Sequence, residues 1–453
     1  MDNTQKPASA LNRRRFIKTS SAASAAAVGT LAMERFAHAA ADDTLKLALI
    51  GCGGRGTGAA NQALSTSRLG MGNIKLVAMA DAFEDNLLNK LSIIREQHRD
   101  LVDVPPERQF VGFDAYKKAI AEADVVILTT PPGFRPIHFE EAVKQGKNIF
   151  MEKPVATDAV GIRKVLEAAK EAKKKNLKVG VGLQRHHQVG YIETIKRLQD
   201  GAIGDITSMR CYWNGNGVWT RARADLEKAA GRKLTEMEYQ MRNWYYFNWL
   251  CGDHINEQHI HNIDVINWIK GGYPVSAQGM GGRQVRDGID NGEIFDHHFV
   301  EFEYADGSRC YSQCRHIRGC FNSVSEHVTG TMGRSDVNKH MIYGDNRWRH
   351  KPAEGQRDPN PYQQEWDDLI AAIRKNEDYN EAEYGAKSTM TSILGRMATY
   401  SGKVVSWEEG FNSDLSLLPE KFSWDANPKS MPDKDGRYEI PVPGAKEWID
   451  RIL

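Results

Sequence analysis

The stretch LKLALIGCGGRGTGAANQAL, residues 45–64, constrains the fold of this 453-residue chain more than any other. An apolar run, Leu45 to Ile50, reads as a strand buried on both faces. Gly51, Gly53 and Gly56 follow in the spacing G-x-G-x-x-G, with Gly54 and Arg55 in the same loop, and a helical pattern comes next. Between a strand and a helix, this spacing makes a tight turn that brings the backbone N–H groups of a helix N-terminus against a pyrophosphate. A second apolar run, IKLVAMAD, ends in Asp81, 30 residues after Gly51. That is longer than the usual ~20, and the Gly- and Ser-rich STSRLGMGN accounts for the excess as a loop. At the end of a second strand, Asp81 would accept hydrogen bonds from both ribose hydroxyls and repel a 2′-phosphate, which favours NAD over NADP. The alternative is that Asp81 caps the next helix.

The alternation continues. ADVVILTTPP reads as a buried strand ending in a turn, FRPIHFEEAVKQGK as a helix, and NIFMEKPVATD as a strand running into a loop. Residues 42–181 are therefore expected to form a doubly wound α/β domain, with Asp81, Thr130, Pro131 and Lys153 delivered to one crevice. From Gly182 the pattern changes. A helix, a strand and an aromatic, arginine-rich stretch precede period-two segments such as HHFVEFEYADGSRCYSQCRH, which contains a hairpin-like turn at Ala305-Asp306-Gly307. Residues 182–410 read as an α+β domain with a large, mostly antiparallel open sheet, closed by two late helices, and residues 411–453 as a Pro-rich extended tail. In HHFVEFEY the two histidines, His297 and His298, are expected to face opposite ways.

A formal net charge of +1 argues against a nucleic-acid partner. No run in the body of the chain has transmembrane length, so the mature form is expected to be free of the membrane. Residues 1–41 have a different character. NRRRFIKTS has the order of a twin-arginine export signal, an Ala/Ser/Val run follows, and AHAA supplies an A-x-A-like cleavage site. The expectation is export by the twin-arginine machinery to the periplasm. That route carries folded proteins to a compartment without a dependable NAD supply, so the cofactor is expected to travel with the protein, held tightly. The six cysteines form no C-x-x-C pair; a disulfide among Cys310, Cys314 and Cys320 is left open.

A nicotinamide domain that oxidises a hydroxyl needs a group to take the proton. Lys153, at the end of a strand and followed by Pro154, stands where that group is needed. Its neighbour Glu152 would either pair with it or hydrogen-bond the cofactor ribose. CGDHINEQHIHNIDVINW, residues 251–268, reads as one helix of nearly five turns. On it Asp253, Glu257 and His261 are spaced by four, and His254, Gln258 and His261 by four and three, which places both sets on one face. A metal site would need three converging ligands. The motif H-E-x-x-H is absent, and His254 and His261 are seven apart, so no metal is expected. GLQRHHQVGY adds Gln184 beside the cofactor and Arg185, which would bind either a substrate hydroxyl or a carboxylate at the domain junction. Trp219, Arg242, Trp244 and Tyr245, with His254, are candidates to line a substrate site, since aromatic rings cover the apolar face of a sugar; an oligomer interface is the alternative for this segment.

The glycine loop, the EKP after a later strand and HNIDVINW resemble, in order and spacing over residues 45–403, the Gfo/Idh/MocA oxidoreductase family. The resemblance implies NAD(P), a sugar, cyclitol or related polyol as substrate, and a homodimer or homotetramer. It implies that Lys153 handles the proton and that His261 is the histidine of a D-x-x-x-H pair, with Glu257 where the family more often has aspartate. The expected function is oxidation of such a hydroxyl by hydride transfer. Some relatives are redox-neutral glycosidases that pass through a transient 3-keto sugar, which is the second expectation. A non-catalytic sugar- or NAD-binding protein is the third.

Overall fold

The structure, a computed structural model, describes residues 44–453; the expected export signal lies outside the described residues. In chain order the first half builds β1 (Leu45–Ile50), α1 (Gly54–Ser65), β2 (Ile74–Asp81), α2 (Glu84–Gln97), β3 (Gln109–Val111), α3 (Ala115–Ala121), β4 (Val125–Leu128), α4 (Arg135–Lys144), β5 (Asn148–Met151), α5 (Ala159–Lys174) and β6 (Val179–Val181). The six strands lie in the order β3-β2-β1-β4-β5-β6 and every pair is parallel. The apolar runs explain this. β4 is buried at every residue, as a strand covered by helices on both faces must be. The sheet order reverses between β1 and β4, the place where such folds open a crevice at the carboxyl ends of their strands.

The second half contributes α6 (Val189–Gln199), β7 (Ile206–Gly215), α7 (Arg223–Ala230), α8 (Glu236–Arg242), α9 (Asn248–Cys251), α10 (His254–Glu257), α11 (Ile260–Lys270), β8 (Ser276–Gly282), β9 (His297–Glu303), β10 (Arg309–His316), β11 (Ser323–Gly330), β12 (Gly333–Asp336), β13 (Met341–Gly344), β14 (Trp348–Arg349), α12 (Pro361–Lys375), α13 (Ala382–Ser401), β15 (Val405–Ser406), α14 (Trp407–Asn412) and α15 (Lys446–Ile452). Its nine-stranded sheet runs β14-β13-β12-β11-β7-β10-β9-β8-β15. Only β7 and β10 pair in parallel; the other pairs are antiparallel. The expected fold class, a Rossmann sheet followed by a large, mostly antiparallel one, is the one found. β9 and β10 form the hairpin around Gly307, which has φ +80°. His298 is buried and His297 half-buried, as alternation requires.

Two local expectations change, and one open question closes. Residues 251–268 are not one helix. Gly252 adopts φ +75° and Asp253 φ +69°, and a further break at Gln258–His259 separates α10 from α11. The cause is tertiary: the fully buried Asp253 carboxylate accepts from His254 N–H, Phe295 N–H, the Tyr400 hydroxyl and the His298 ring, partners that hold it off the helical path. No disulfide forms among the last three cysteines. All are free; Cys310 and Cys314 point into the core from β10, and Cys320 is exposed. The tail is mostly irregular but not detached. Trp424 packs on Phe83 and Phe113, and Phe422 on Phe113 and Phe134.

Candidate active site

A cleft of about 780 Å³ opens at the carboxyl ends of β1, β2, β4 and β5. Its floor is the glycine loop. Gly51 has φ +96°, and a Cβ there would lie 2.5 Å from Thr130 N; a Cβ on Gly56 would lie 2.2 Å from Gly51 O. The two glycines thus let α1 start directly against β1 and β4. At Gly53 and Gly54, by contrast, an added Cβ would meet nothing within 4 Å. This leaves an open cradle at the N-terminus of a 12-residue helix, which fits a pyrophosphate. Asp81, at the end of β2, accepts from Cys52 N–H at 2.6 Å and Phe83 N–H at 2.9 Å. Burial pushes its carboxyl up, and those two backbone donors oppose the shift. The loop-anchoring and ribose-facing readings of Asp81 are compatible, since each oxygen retains acceptor capacity.

Arg55 reaches across the cradle. Its Nε pairs with Glu152, its Nη2 donates to Glu365 of α12 at 2.9 Å, and its Nη1 to Gln62 at 2.8 Å, with the Tyr362 ring 5.2 Å away. Glu152 therefore pairs with Arg55, not with Lys153. Burial, then the adjacent Glu152 charge, push the Glu365 carboxyl well above the usual carboxylate range. Two cleft residues carry no obvious sequence signal beyond their place after Pro131-Pro132. Arg135 is buried; its Nη2 donates to Thr130 O at 2.6 Å and its Nε to Glu152 O at 2.9 Å. Burial, then the Arg135 charge, hold His138 down at about 3.

At the other end, Lys153 Nζ donates to Glu257 O at 2.5 Å and to Glu257 Oε1 at 3.3 Å; the Lys153–Pro154 bond is cis. The i, i+4 relation of Glu257 to His261 does not produce a carboxylate–imidazole pair. The chain breaks at Gln258–His259 between them, and the longer glutamate side chain turns to Lys153. His261 lies in the cleft wall with the Trp213 ring stacked 5.9 Å away. Its Nδ1 has no hydrogen-bond partner among the described residues. Burial, then the charges of Lys153, Arg185 and Arg55, hold its pKa well below the ordinary histidine value. The imidazole is neutral at neutral pH, the form a proton acceptor needs.

Of the other candidates, Trp219, Arg242 and Trp244 line the cleft, joined by Trp213 and Arg221 of the same aromatic, arginine-rich segment, by Gln258 from the face expected to carry His261, and by Tyr362, which carried no sequence signal for it. Arg242 is paired with Asp85 and Glu238. Four candidates are not on the cleft wall. Gln184 is buried behind it, donating to the Tyr362 hydroxyl at 3.1 Å. Arg185 forms an ion pair with the fully buried Glu326 and donates to His261 O at 2.9 Å, so it braces the backbone of His261 as a junction residue. His254 is fully buried, 2.7 Å from Asp253 and packed against His316 and His298. Tyr245 is buried beneath Trp219 and Trp244. Asp253, His254 and His298 do bring ligand-type atoms within 4.8 Å of one another. The Asp253 carboxylate is nevertheless saturated by hydrogen-bond donors, which describes a buried polar network.

Models of known families match both halves. The oxidoreductase family with an NAD-binding Rossmann fold, Gfo/Idh/MocA, matches residues 45–181, and the Gfo/Idh/MocA C-terminal domain matches residues 191–336. Inositol 2-dehydrogenase of Burkholderia multivorans is 25% identical over 236 residues, 52% of this chain and 57% of that protein. The 2,7-anhydro-N-acetylneuraminate hydratase of Escherichia coli is 26% identical over 188 residues, 41% of this chain and 43% of that protein. The chain spans about half the length of the curated relatives it matches. The aldose-aldose oxidoreductase of Caulobacter crescentus, solved with glycerol, has the same fold with a TM-score of 0.61 at 17% identity, over 80% of this chain and 99% of that one. With both domains matched in order, the glycine cradle in the first and the second sheet beside it, the chain belongs to the Gfo/Idh/MocA oxidoreductase family.

Proposed function

We propose that the protein is an NAD-dependent oxidoreductase acting on a hydroxyl of a sugar, cyclitol or glycoside. The observation that carries this reading is the meeting of Lys153 and a neutral His261 in one cleft wall, facing an open glycine cradle. When bound, NAD supplies the hydride acceptor. The protein's own residues do the rest. Gly51, Gly53, Gly54 and Gly56 give the pyrophosphate its seat, and Asp81 takes the ribose hydroxyls. Thr130 and Pro131 wall the ring end, and Arg55 with Glu152 closes the loop side. Lys153, anchored on Glu257, donates to the substrate oxygen while His261 takes its proton. Trp213, Trp219 and Trp244 cover the apolar face of the substrate and exclude water.

The twin-arginine pattern in residues 1–41 supports a periplasmic location and a cofactor loaded before export and held without exchange. A cofactor that does not exchange must be reoxidised in place, by a second substrate or by the same one. The second route is the alternative function, redox-neutral cleavage of a glycoside through a transient ketone. The relative named as a hydratase favours keeping it, since hydration involves no net oxidation. Assembly as a homodimer or homotetramer is part of the proposal. The face carrying Met280 and Tyr311, both exposed on the large sheet, suits such a contact.

The test is absorbance of the exported, purified protein at the reduced-nicotinamide band, before and after D-glucose, myo-inositol and a p-nitrophenyl glycoside. A band that appears with a polyol supports oxidation. Aglycone release without net reduction supports the alternative. Protein that binds NAD yet changes neither signal, with or without added NAD, is a binding protein.

A further inference from the structure

We infer that Gln258 is a specificity-determining hydrogen-bond donor in the substrate end of the cleft, its amide held in one orientation by His316 and Arg286. The inference rests on the oxidoreductase reading above for its substrate, but its geometry stands alone. Arg286 is buried, and its Nη2 lies 2.7 Å from His316 Nδ1. A guanidinium has only donors, so Nδ1 must be the accepting nitrogen and the His316 proton must sit on Nε2. Nε2 lies 2.7 Å from Gln258 Oε1, which must therefore accept. The direction of each bond is thus set by the arginine. The Gln258 NH₂ group is what remains, and Gln258 lines the cleft beside Glu257 and His261. Among the described residues nothing else bonds that NH₂.

The neighbours keep His316 in this state. It is packed against the His254 ring, whose Nδ1 is given to Asp253, and it is buried at the end of β10. Burial, then the nearby His254 and Arg286, oppose its protonation. Protonation would also set an N–H against the N–H of Arg286. A glutamine free to flip could serve as donor or acceptor, but this one presents two donors only. The ligand it selects has an oxygen that accepts at that place: a hydroxyl, ring or carbonyl oxygen of the carbohydrate, next to the carbon handled by Lys153 and His261. Because a carbonyl accepts as well as a hydroxyl does, the contact survives oxidation of the oxygen it holds.

Two measurements test this. In the holoenzyme, kcat and KM are measured on whichever of D-glucose, myo-inositol and methyl β-D-glucoside turns over best, and on its single-deoxy analogues. Q258L is expected to lower kcat/KM about 10–100-fold on the parent. It should do so no further on the one analogue that lacks the accepted oxygen, and Q258E, with an acceptor in place of the donor, should be at least as poor as Q258L. H316F, which frees the amide, should cost less than Q258L and add nothing to it in the double variant. An unchanged kcat/KM for Q258L, or an equal loss on the parent and on every deoxy analogue, overturns the inference while leaving the oxidoreductase reading in place. If the wild type turns over none of the three probes, the second measurement decides. Nitrogen-15 NMR of labelled histidines, assigned with H316F, should show His316 as the neutral Nε2–H tautomer from pH 6 to 8. An Nδ1–H tautomer or an imidazolium overturns it.

Discussion

Lys153 Nζ is held by a single residue twice over, by the main-chain carbonyl of Glu257 at 2.5 Å and by its carboxylate at 3.3 Å. The carbonyl contact depends on the backbone turn at the end of α10, and only the second contact depends on the side-chain type. Lys153→Met should therefore lower kcat/KM by about 10²–10⁴, the range for removing a proton-handling group, with NAD affinity by calorimetry kept. Glu257→Gln should cost about tenfold or less, because the carbonyl still fixes the ammonium. A larger loss in Glu257→Gln than in Lys153→Met would reverse the roles proposed.

His261 should set the acid limb of the pH profile. Because burial and three cations hold it neutral, kcat/KM should stay flat as pH falls through the ordinary histidine value of about 6.5 and decline only below it. His261→Asn should remove that limb along with most of the rate. A wild-type limb at 6.5 or above would contradict the arrangement.

The glycines of the cradle should separate stability from cofactor binding. Gly56→Ala puts a methyl 2.2 Å from a carbonyl oxygen of the same loop and should lower the stability by about 1–3 kcal/mol or more, seen as a fall in Tm. Gly53→Ala meets no protein atom, and its φ of −86° suits alanine. It should leave the Tm of the cofactor-free protein unchanged and weaken NAD binding at least tenfold in a calorimetric titration.

Stability should fall on both sides of neutrality, for opposite reasons. His187 sits 2.7 Å from Asp368 and 3.1 Å from Glu381, and burial that would lower its pKa is outweighed by these carboxylates, which raise it to about 10. With a folded value above the unfolded one, its contribution is complete below about 6.5 and is lost as pH rises through about 10. His254 and His138, buried and depressed to about 4 and about 3, act the other way. The unfolded chain binds their protons first, so stability falls as pH drops from about 6.5 toward those values. His187→Gln should flatten the alkaline side of a denaturant-midpoint profile and leave the acid side alone.

Asp81→Asn should narrow the preference for NAD over NADP by at least tenfold in binding ratio. Cys52 N–H and Phe83 N–H bond different oxygens of Asp81, so the amide oxygen keeps only one of them; the other meets the NH₂ group, and the fold should persist at a cost of about 1–3 kcal/mol.

The cradle was legible because its chemistry is local. Gly51 to Gly56 and Asp81 lie on or beside one strand–turn–helix, and the period of the flanking runs identifies it. Lys153 was legible for the same reason, standing at a strand's end. The 251–268 segment was not. Its polar residues fit a helical face, but the side chain of Asp253 answers to Phe295, His298 and Tyr400, which arrive from far along the chain. His254 went with it into the core, and Gln258 took its place at the cleft. Arg185 had two readings of equal standing, and only the position of Glu326 on β11 chose between them. The aromatic residues of the tail, Phe422 and Trp424, were a visible signal in a Pro-rich stretch, since such rings rarely remain in water.

Those two rings have a consequence for biosynthesis. Phe83, Phe113 and Phe134 line the cofactor cleft, and their outer sides are covered by Phe422 and Trp424. The ribosome makes the cradle first and its backing last. A nascent chain can complete the sheet of the first domain long before it has a finished cofactor pocket, so full occupancy belongs to the released polypeptide. Loss of a few dozen C-terminal residues would then be felt first at the nucleotide, at the opposite end of the sequence.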